Sequence, residues 1–198
     1  MAADCFSTIS QPSEGIYREK MSKFMAFAHP VASVDEAKEI IKQYQKKYFD
    51  ARHVCWAYML GADRLTFQSN DNGEPSGTAG KPILGQINSF GLTNIIIIVV
   101  RYFGGIKLGT SGLIVAYREA AREAIEAAEI IHCHETANIA FSYAYEAMND
   151  VMKLAKQPGI YILEQSFDNI CTMTLSTRRD NIELLRGQLS KIPTLTFV

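Results

Sequence analysis

The sequence has few cysteines, no long apolar run and no excess of charge of one sign. Its four cysteines are scattered through 198 residues and form no C-x-x-C pair. This distribution excludes a disulfide scaffold and the usual cysteine zinc motifs, and it favours reduced thiols in a cytoplasm. The longest aliphatic run, Ile95 to Val100, has six residues, whereas a membrane-spanning helix needs about 20. We therefore expect a cytoplasmic protein that is not embedded in a membrane.

Charge is balanced along the whole chain. The 20 basic and 21 acidic residues give a net charge of −1. Residues 1–134 carry 14 of each sign, and the remainder carries 6 basic and 7 acidic residues. A protein that holds nucleic acid along its whole surface needs a basic excess. The sequence excludes that class and leaves room for a local basic patch.

Hydrophobic periodicity predicts an α+β protein. Residues 1–14 are polar and irregular, and we interpret them as a loose N-terminal tail. Ser33 and Glu36 form a capping box at the start of a helix over 33–48. Asn94 to Arg101 is dense in β-branched residues and predicts a central strand that is covered on both faces. Further strands and helices are predicted at 16–18, 23–28, 54–60, 65–68, 78–90 and 110–129.

The pattern restarts after His134. It predicts the order strand, helix, strand, strand, helix, strand over 135–198, with Pro158-Gly159 ending the first helix. This is the ferredoxin-like split βαβ plan. We therefore expect two domains with a boundary near residue 134. His132 and His134 lie in the segment between them, and we interpret them as linker rather than as metal ligands.

Two glycine-rich tracts are the most distinctive feature of the chain. Residues 71–84 read DNGEPSGTAGKPIL and residues 101–113 read RYFGGIKLGTSGL, with GLTNIIIIVV before the second. Neither tract matches a phosphate loop or G-x-G-x-x-G, so ATP or dinucleotide binding is not expected. The pair resembles the signature of the Impact family in its bacterial, YigZ-like branch. SKFMAFAHPV at 22–31 and the A-x-H-x-C-x-A-Y pattern at 51–58 are also similar to that family.

The resemblance carries expectations about fold and function. It implies that residues 15–134 form an Impact-type N-terminal domain, like the second domain of a small-subunit ribosomal protein. It also implies that residues 135–198 form a ferredoxin-like domain similar to one in translation elongation factors. Eukaryotic members of the family regulate translation initiation through protein partners. The chain departs from the family pattern at four positions: Asn72, Val100, Ser111 and Val115.

We expect the two tracts to form one binding surface. Glycines let a partner approach the backbone, and the N–H groups at 78–80 and 109–111 begin helices where an anion can bind. The candidate binding residues for RNA, an anion or a partner are Glu74, Ser76, Thr78, Lys81, Arg101, Tyr102, Lys107, Thr110 and Ser111. In the alternative interpretation the tracts are only loop architecture, in which Thr78 caps a helix and Arg101 pairs with Asp71 or Glu74.

The sequence favours a non-enzymatic binding protein linked to translation, which contacts RNA, the ribosome or a protein partner. It contains no motif for a cofactor or metal, and it leaves the oligomeric state open. An alternative is a small-molecule or anion-binding enzyme that uses Asp71, Glu74 and Lys107. A further alternative is a protein–protein module that docks through its ferredoxin-like sheet. His53 and Cys55 share one strand face, and we interpret them as packed residues rather than a catalytic pair.

Overall fold

The computed structural model describes residues 5–168 and 170–198. The chain divides into two compact units, one that ends at residue 133 and one that spans residues 134–198. Both units mix strands and helices, so the protein is an α+β protein with two domains. No helix in the described ranges is long and apolar enough to cross a membrane.

The N-terminal unit is built on a sheet of five antiparallel strands. The central strand of that sheet was predicted correctly: its neighbours on the two sides are the strands that begin at Ser22 and His53. In chain order the strands of this unit are β1 (Cys5–Ile9), β2 (Ser13–Glu19), β3 (Ser22–Pro30), β4 (His53–Leu60), β5 (Thr66–Asn70), β6 (Ile95–Tyr102) and β7 (Ile130–His134). The order across the main sheet is β2-β3-β6-β4-β5.

Helices cover both faces of this sheet, and the side chains of β6 alternate between the two cores that lie beneath them. Ile95, Ile97 and Val99 pack beneath α2 (Gly80–Ser89) and α3 (Gly109–Glu126), and Ile96 and Ile98 pack against α1 (Val34–Lys47). Ser33 caps α1 by accepting a hydrogen bond from Glu36 N, while the Glu36 carboxylate accepts one from Ala32 N. The same alternation places Arg101 on the α2 and α3 side of the sheet.

The prediction of a loose tail over residues 1–14 is wrong for residues 5–14. Strand β1 pairs with β7, and Ile9 is buried in the core beneath α2 and α3. Ser10 N donates to Glu129 O, and Thr93 N donates to Ser7 O. His132 therefore lies in a strand rather than in a linker, and its Nδ1 is 2.9 Å from Ser7 Oγ. Backbone hydrogen bonds hold these polar residues in place, and the hydropathy of their side chains does not predict such pairing. Residues 1–4 lie outside the described residues.

The C-terminal unit has the ferredoxin-like order of elements. Its elements are β8 (Thr136–Tyr143), α4 (Met148–Ala155), β9 (Ile160–Phe167), β10 (Cys171–Arg178), α5 (Ile182–Leu189) and β11 (Thr196–Phe197). The four strands are antiparallel in the order β11-β8-β10-β9. Val151, Leu185 and Leu189 of the two helices pack on the inner residues of the sheet. Each of the two helices is preceded by one 3₁₀ turn.

Candidate functional site

The first glycine tract folds around the carboxylate of Asp71. Its Oδ1 accepts hydrogen bonds from Ala79 N at 3.0 Å and Gly80 N at 2.8 Å, and its Oδ2 accepts one from Gly77 N at 2.8 Å. Burial alone raises the pKa of Asp71, but these hydrogen bonds and the charge of Lys81 together hold it below its ordinary value. Asp71 is therefore an internal cap for the start of α2.

This internal cap corrects the predicted anion site at residues 78–80. Two of the three N–H groups already donate to Asp71, and Thr78 N donates to Pro75 O. The Thr78 hydroxyl is also occupied, since it donates to the same carbonyl at 2.6 Å. The beginning of α2 thus has no free donor for a ligand at these three positions.

Asn72 connects the first tract to strand β4. It adopts a positive φ of 42°, a conformation that asparagine tolerates better than most residues. Its side-chain oxygen accepts from Val54 N at 2.8 Å, and its carbonyl lies 2.8 Å from His53 Nδ1. Because a carbonyl oxygen can only accept, His53 carries a proton on Nδ1. This bond fixes the imidazole so that Nε2 lies 3.8 Å from Glu74 Oε1.

A buried ion pair joins the two tracts. Nη1 of Arg101, on β6, donates to Oε1 of Glu74 at 2.6 Å, and the two side chains are only 7% and 3% exposed. The hydroxyl of Tyr117, on α3, donates to the same oxygen at 2.9 Å. The alternative in which Arg101 pins the two loops by pairing with Glu74 therefore describes the observed contact. Removal of either partner of a pair this deeply buried would leave the other charge without compensation.

Cys55 extends this network into the core. Its thiol donates to Asp71 O at 3.0 Å and lies 3.3 Å from the Tyr117 hydroxyl. Burial, the largest effect, raises the pKa of the Cys55 thiol to about 12, and the hydrogen bond to Tyr117 only partly opposes it. Burial likewise raises the pKa of Tyr117. Cys55 is thus a protonated, packed thiol at neutral pH and a poor nucleophile.

The ion pair forms the floor of a cleft of about 500 Å³ between the two tracts. Three basic side chains, those of Arg52, Arg101 and Lys107, line the cleft against the single carboxylate of Glu74, so these four groups carry a net charge of +2. The second tract supplies its outer wall, including the ring of Phe103, which is 42% exposed. The lining residues are Arg52, His53, Gly73, Glu74, Pro75, Arg101, Phe103, Lys107, Leu108, Gly109, Thr110 and Leu113.

The N-terminus of α3 opens onto the same cleft. Leu108 precedes the helix, and no side chain of the described residues caps it. Gly109 and Thr110, its first two residues, both line the cleft. Gly109 has a φ of +74°, which favours glycine, and a β-carbon there would meet only open space. The positive end of the helix dipole thus adds to the basic side chains.

The cleft contains some of the candidate binding residues and not others. Glu74, Arg101, Lys107 and Thr110 line it. Thr78 is buried in a turn, Ser76 and Lys81 are exposed elsewhere on the first tract, and the Tyr102 hydroxyl donates to Asp50. Ser111 faces a separate groove that is lined by Tyr17, Glu19 and Val115. The predicted binding residues therefore do not form one continuous surface over both tracts.

The candidate binding residues that the sequence predicts do not include Arg52, His53 or Phe103, although all three line the cleft. The register of β4 against β6 places His53 directly beside Arg101. The order of strands in the sheet would have revealed this neighbour, and local periodicity does not supply that order. Within the described ranges, no group of three or more His, Cys, Asp and Glu residues could hold a metal ion.

The fold and the cleft define a class: a two-domain α+β protein whose N-terminal unit carries a cationic cleft and whose C-terminal unit is ferredoxin-like. A family model described as the Impact N-terminal domain matches residues 20–125. The chain belongs to the Impact family.

Relatives and solved structures extend this similarity. The chain is 31% identical over 174 residues to an IMPACT family member of Haemophilus influenzae, with 87% of this chain and 84% of that protein covered. It is 41% identical over 108 residues to the IMPACT family member YigZ of Escherichia coli, with 54% and 53% covered. A crystal structure of a hypothetical protein aligns with a TM-score of 0.78 at 26% identity, covering 99% of this chain and 97% of that one. The predicted resemblance to the YigZ-like branch is confirmed.

Proposed function

We propose that this Impact family member is a non-enzymatic, cytoplasmic RNA-binding protein connected with translation, and that RNA contacts its N-terminal unit at the cationic cleft. The link to translation comes from the family resemblance. The choice of RNA rests on the chemistry of the cleft. The free state of all four cysteines agrees with a reducing compartment.

The charge of the cleft is the observation that carries the proposal. Glu74, the only carboxylate among the described residues of the lining, already accepts hydrogen bonds from Arg101 and Tyr117. The positive charges of Arg52 and Lys107 are therefore not cancelled inside the cleft. Cations on a protein of net charge −1 form a local site for phosphate rather than a general electrostatic grip.

Phe103 adds a second element of nucleic-acid recognition. Its ring lies at the edge of the cleft, and the Arg101 guanidinium carbon is 5.5 Å from its centroid. An exposed aromatic ring beside basic groups can stack on a base while the phosphate lies against the cations. A strictly apolar partner would bring no negative charge to the cations beside this ring.

The contacts of the acidic residues favour binding over the alternative enzyme. Both oxygens of Asp71 accept backbone hydrogen bonds, and Glu74 is held by Arg101 and Tyr117. Neither carboxylate is placed to exchange a proton with a substrate. Lys107 alone then remains of the three residues in that alternative, and it suits phosphate contact better than catalysis.

Fluorescence anisotropy with a labelled single-stranded RNA tests the proposal. We expect Lys107→Glu and Arg52→Glu each to weaken binding at least about tenfold at roughly 100 mM salt, because each reverses a charge at the cleft. Lys38→Glu is the matched control, since Lys38 is exposed on α1, across the sheet from the cleft. Equal losses in all three variants, or none, would reject the cleft as the RNA site.

A protein partner at the same cleft is the competing outcome. Affinity capture from nuclease-treated extract separates it from RNA binding. A partner that is retained after nuclease treatment and lost in Lys107→Glu, together with no binding of purified RNA, would replace this proposal by protein recognition.

A further inference from the structure

The guanidinium of Arg101 is only partly used by the protein. Nη1 donates to Glu74, while Nε has no hydrogen-bond partner among the described residues although it is shielded from solvent. The guanidinium also lies 5.4 Å from the Phe24 ring centroid and 5.5 Å from that of Phe103. The side of a guanidinium that carries Nε–H can donate two parallel hydrogen bonds, one from Nε and one from an Nη, to a phosphate or carboxylate. A buried donor without an acceptor, on the floor of a cationic cleft, points to an anionic ligand.

We infer that the cleft binds a terminal phosphate monoester, and specifically that it holds the phosphorylated end of an RNA chain. This inference rests on the proposed function and names the part of the RNA that the site recognises. Arg101 would supply the bidentate edge, and Arg52 and Lys107 would balance the charge.

The charge of the phosphate distinguishes a phosphorylated end of an RNA chain from the interior of that chain. A phosphate monoester carries a charge of about −1.5 to −2 at pH 7, whereas a phosphodiester carries a single negative charge. Once Glu74 has neutralised Arg101, the cations that remain in the lining are Arg52 and Lys107. Neither forms an ion pair with another of the described residues. Two cations match a dianion better than they match one internal phosphate.

The N-terminus of α3 provides donors for the additional oxygens. Gly109 and Thr110, the first two residues of the helix, line the cleft, and no side chain that the structure describes caps this end of α3. A monoester has three terminal oxygens that accept hydrogen bonds, one more than the phosphodiester offers. The helix N-terminus and Arg101 together present donors from two directions.

The dimensions of the cleft also favour a chain end. Its volume of about 500 Å³ lies in the range of pockets that hold one small molecule, about 300–1,000 Å³. Grooves that follow a single strand extend over about 4–16 nucleotides. The buried Arg101–Glu74 pair forms part of the lining. Since Nε is shielded from solvent, a ligand reaches it only after a neighbouring side chain shifts, and the exposed ring of Phe103 lies beside the guanidinium.

The test compares one RNA sequence with a 5′-phosphate, a 3′-phosphate or hydroxyl groups at both ends. We expect at least one phosphorylated form to bind about tenfold more tightly than the hydroxyl form. Inorganic phosphate should compete with that form. Thr110→Val should reduce the preference, whereas Ser111→Ala, one residue further along α3 and outside the cleft, should leave it unchanged.

The outcomes separate this inference from the proposed function. Equal affinity for all three RNAs, with loss in Lys107→Glu, would overturn the terminal phosphate and keep RNA binding. Binding of phosphate or a nucleoside monophosphate without binding of RNA would support the monoester site and overturn the RNA function. No binding of phosphate or of any RNA would overturn both.

Discussion

Arg101 Nη1 lies 2.6 Å from Glu74 Oε1, and both side chains are more than nine-tenths buried. Replacing Glu74 with Leu leaves the arginine charge buried without a partner. We expect it to lower the free energy of unfolding by about 3–5 kcal/mol. The double variant Glu74→Leu with Arg101→Met should lose less than the two single variants together, with a coupling energy of about 1–3 kcal/mol. Denaturant unfolding of the four proteins measures this coupling.

An exposed ion pair serves as the control for this cycle. Lys42 and Glu39 form an ion pair of the same 2.6 Å length on α1, with both side chains more than 60% exposed. Solvent screens that pair, so its double-mutant cycle should show no measurable coupling. Similar coupling energies for the two pairs would mean that burial does not strengthen the Arg101–Glu74 contact.

Asp71 is expected to stabilise the first tract through its backbone hydrogen bonds. Asp71→Ala removes acceptors from three N–H groups and should lower the free energy of unfolding by about 1–2 kcal/mol. The pKa of Asp71 is held below its ordinary value of 3.8 in the folded protein. The contribution of the carboxylate is therefore fully present above that value, and it is lost as the pH falls through the lower folded pKa.

Unfolding measured at several pH values tests this sign. The stability difference between the natural protein and Asp71→Asn should be constant near neutrality and should shrink below pH 3.8. A difference that grows as the pH falls would contradict the capping role of Asp71.

Cysteine reactivity should follow burial. Cys5 is exposed, whereas Cys55 is buried and the pKa of its thiol is raised to about 12. Iodoacetamide at mildly alkaline pH should modify Cys5 in the folded protein and should reach Cys55 only after unfolding. Mass spectrometry of the labelled peptides distinguishes the sites. Rapid labelling of Cys55 in the folded protein would support the rejected thiol–imidazole interpretation.

Gly104 is expected to be required by close packing. A β-carbon there would collide with the backbone of Met21 and Ser22, and Gly104 N donates to Ser22 Oγ at 3.1 Å. Gly104→Ala should therefore lower the melting temperature and displace the second tract.

Gly85, in the interior of α2, provides the contrast to Gly104. An added β-carbon there would meet no described atom within 4 Å, and Gly85→Ala should stabilise the protein by about 0.5–1 kcal/mol. Equal effects of the two substitutions would contradict this packing.

Local patterns in the sequence were sufficient for most elements of the fold. The β-branched run at 95–100 identified the central strand, because β-branched residues favour strands and an uninterrupted apolar run suits a strand that is covered on both faces. The capping box at Ser33 located the start of α1 to within one residue. Strand β1 was missed because its pairing with β7 joins segments more than 100 residues apart.

The candidate site was harder to predict for the same reason. Asp71 and Glu74 are three residues apart, yet one carboxylate caps α2 and the other pairs with Arg101. These different roles depend on which backbone groups and strands come near each residue. Sequence spacing marks the two tracts along the chain, whereas the register of β4 against β6 decides that His53 and Arg101 are neighbours in the cleft.

The dependence of RNA affinity on salt concentration is the sharpest test of RNA binding at the cationic cleft. Each phosphate that a cation neutralises on a single strand contributes about −0.7 to the slope of log K against log salt concentration. We expect Lys107→Gln to make the slope shallower by about 0.7, Arg52→Gln to do the same, and Lys38→Gln to leave it unchanged. An unchanged slope in a protein that carries both cleft substitutions would contradict RNA binding at this cleft.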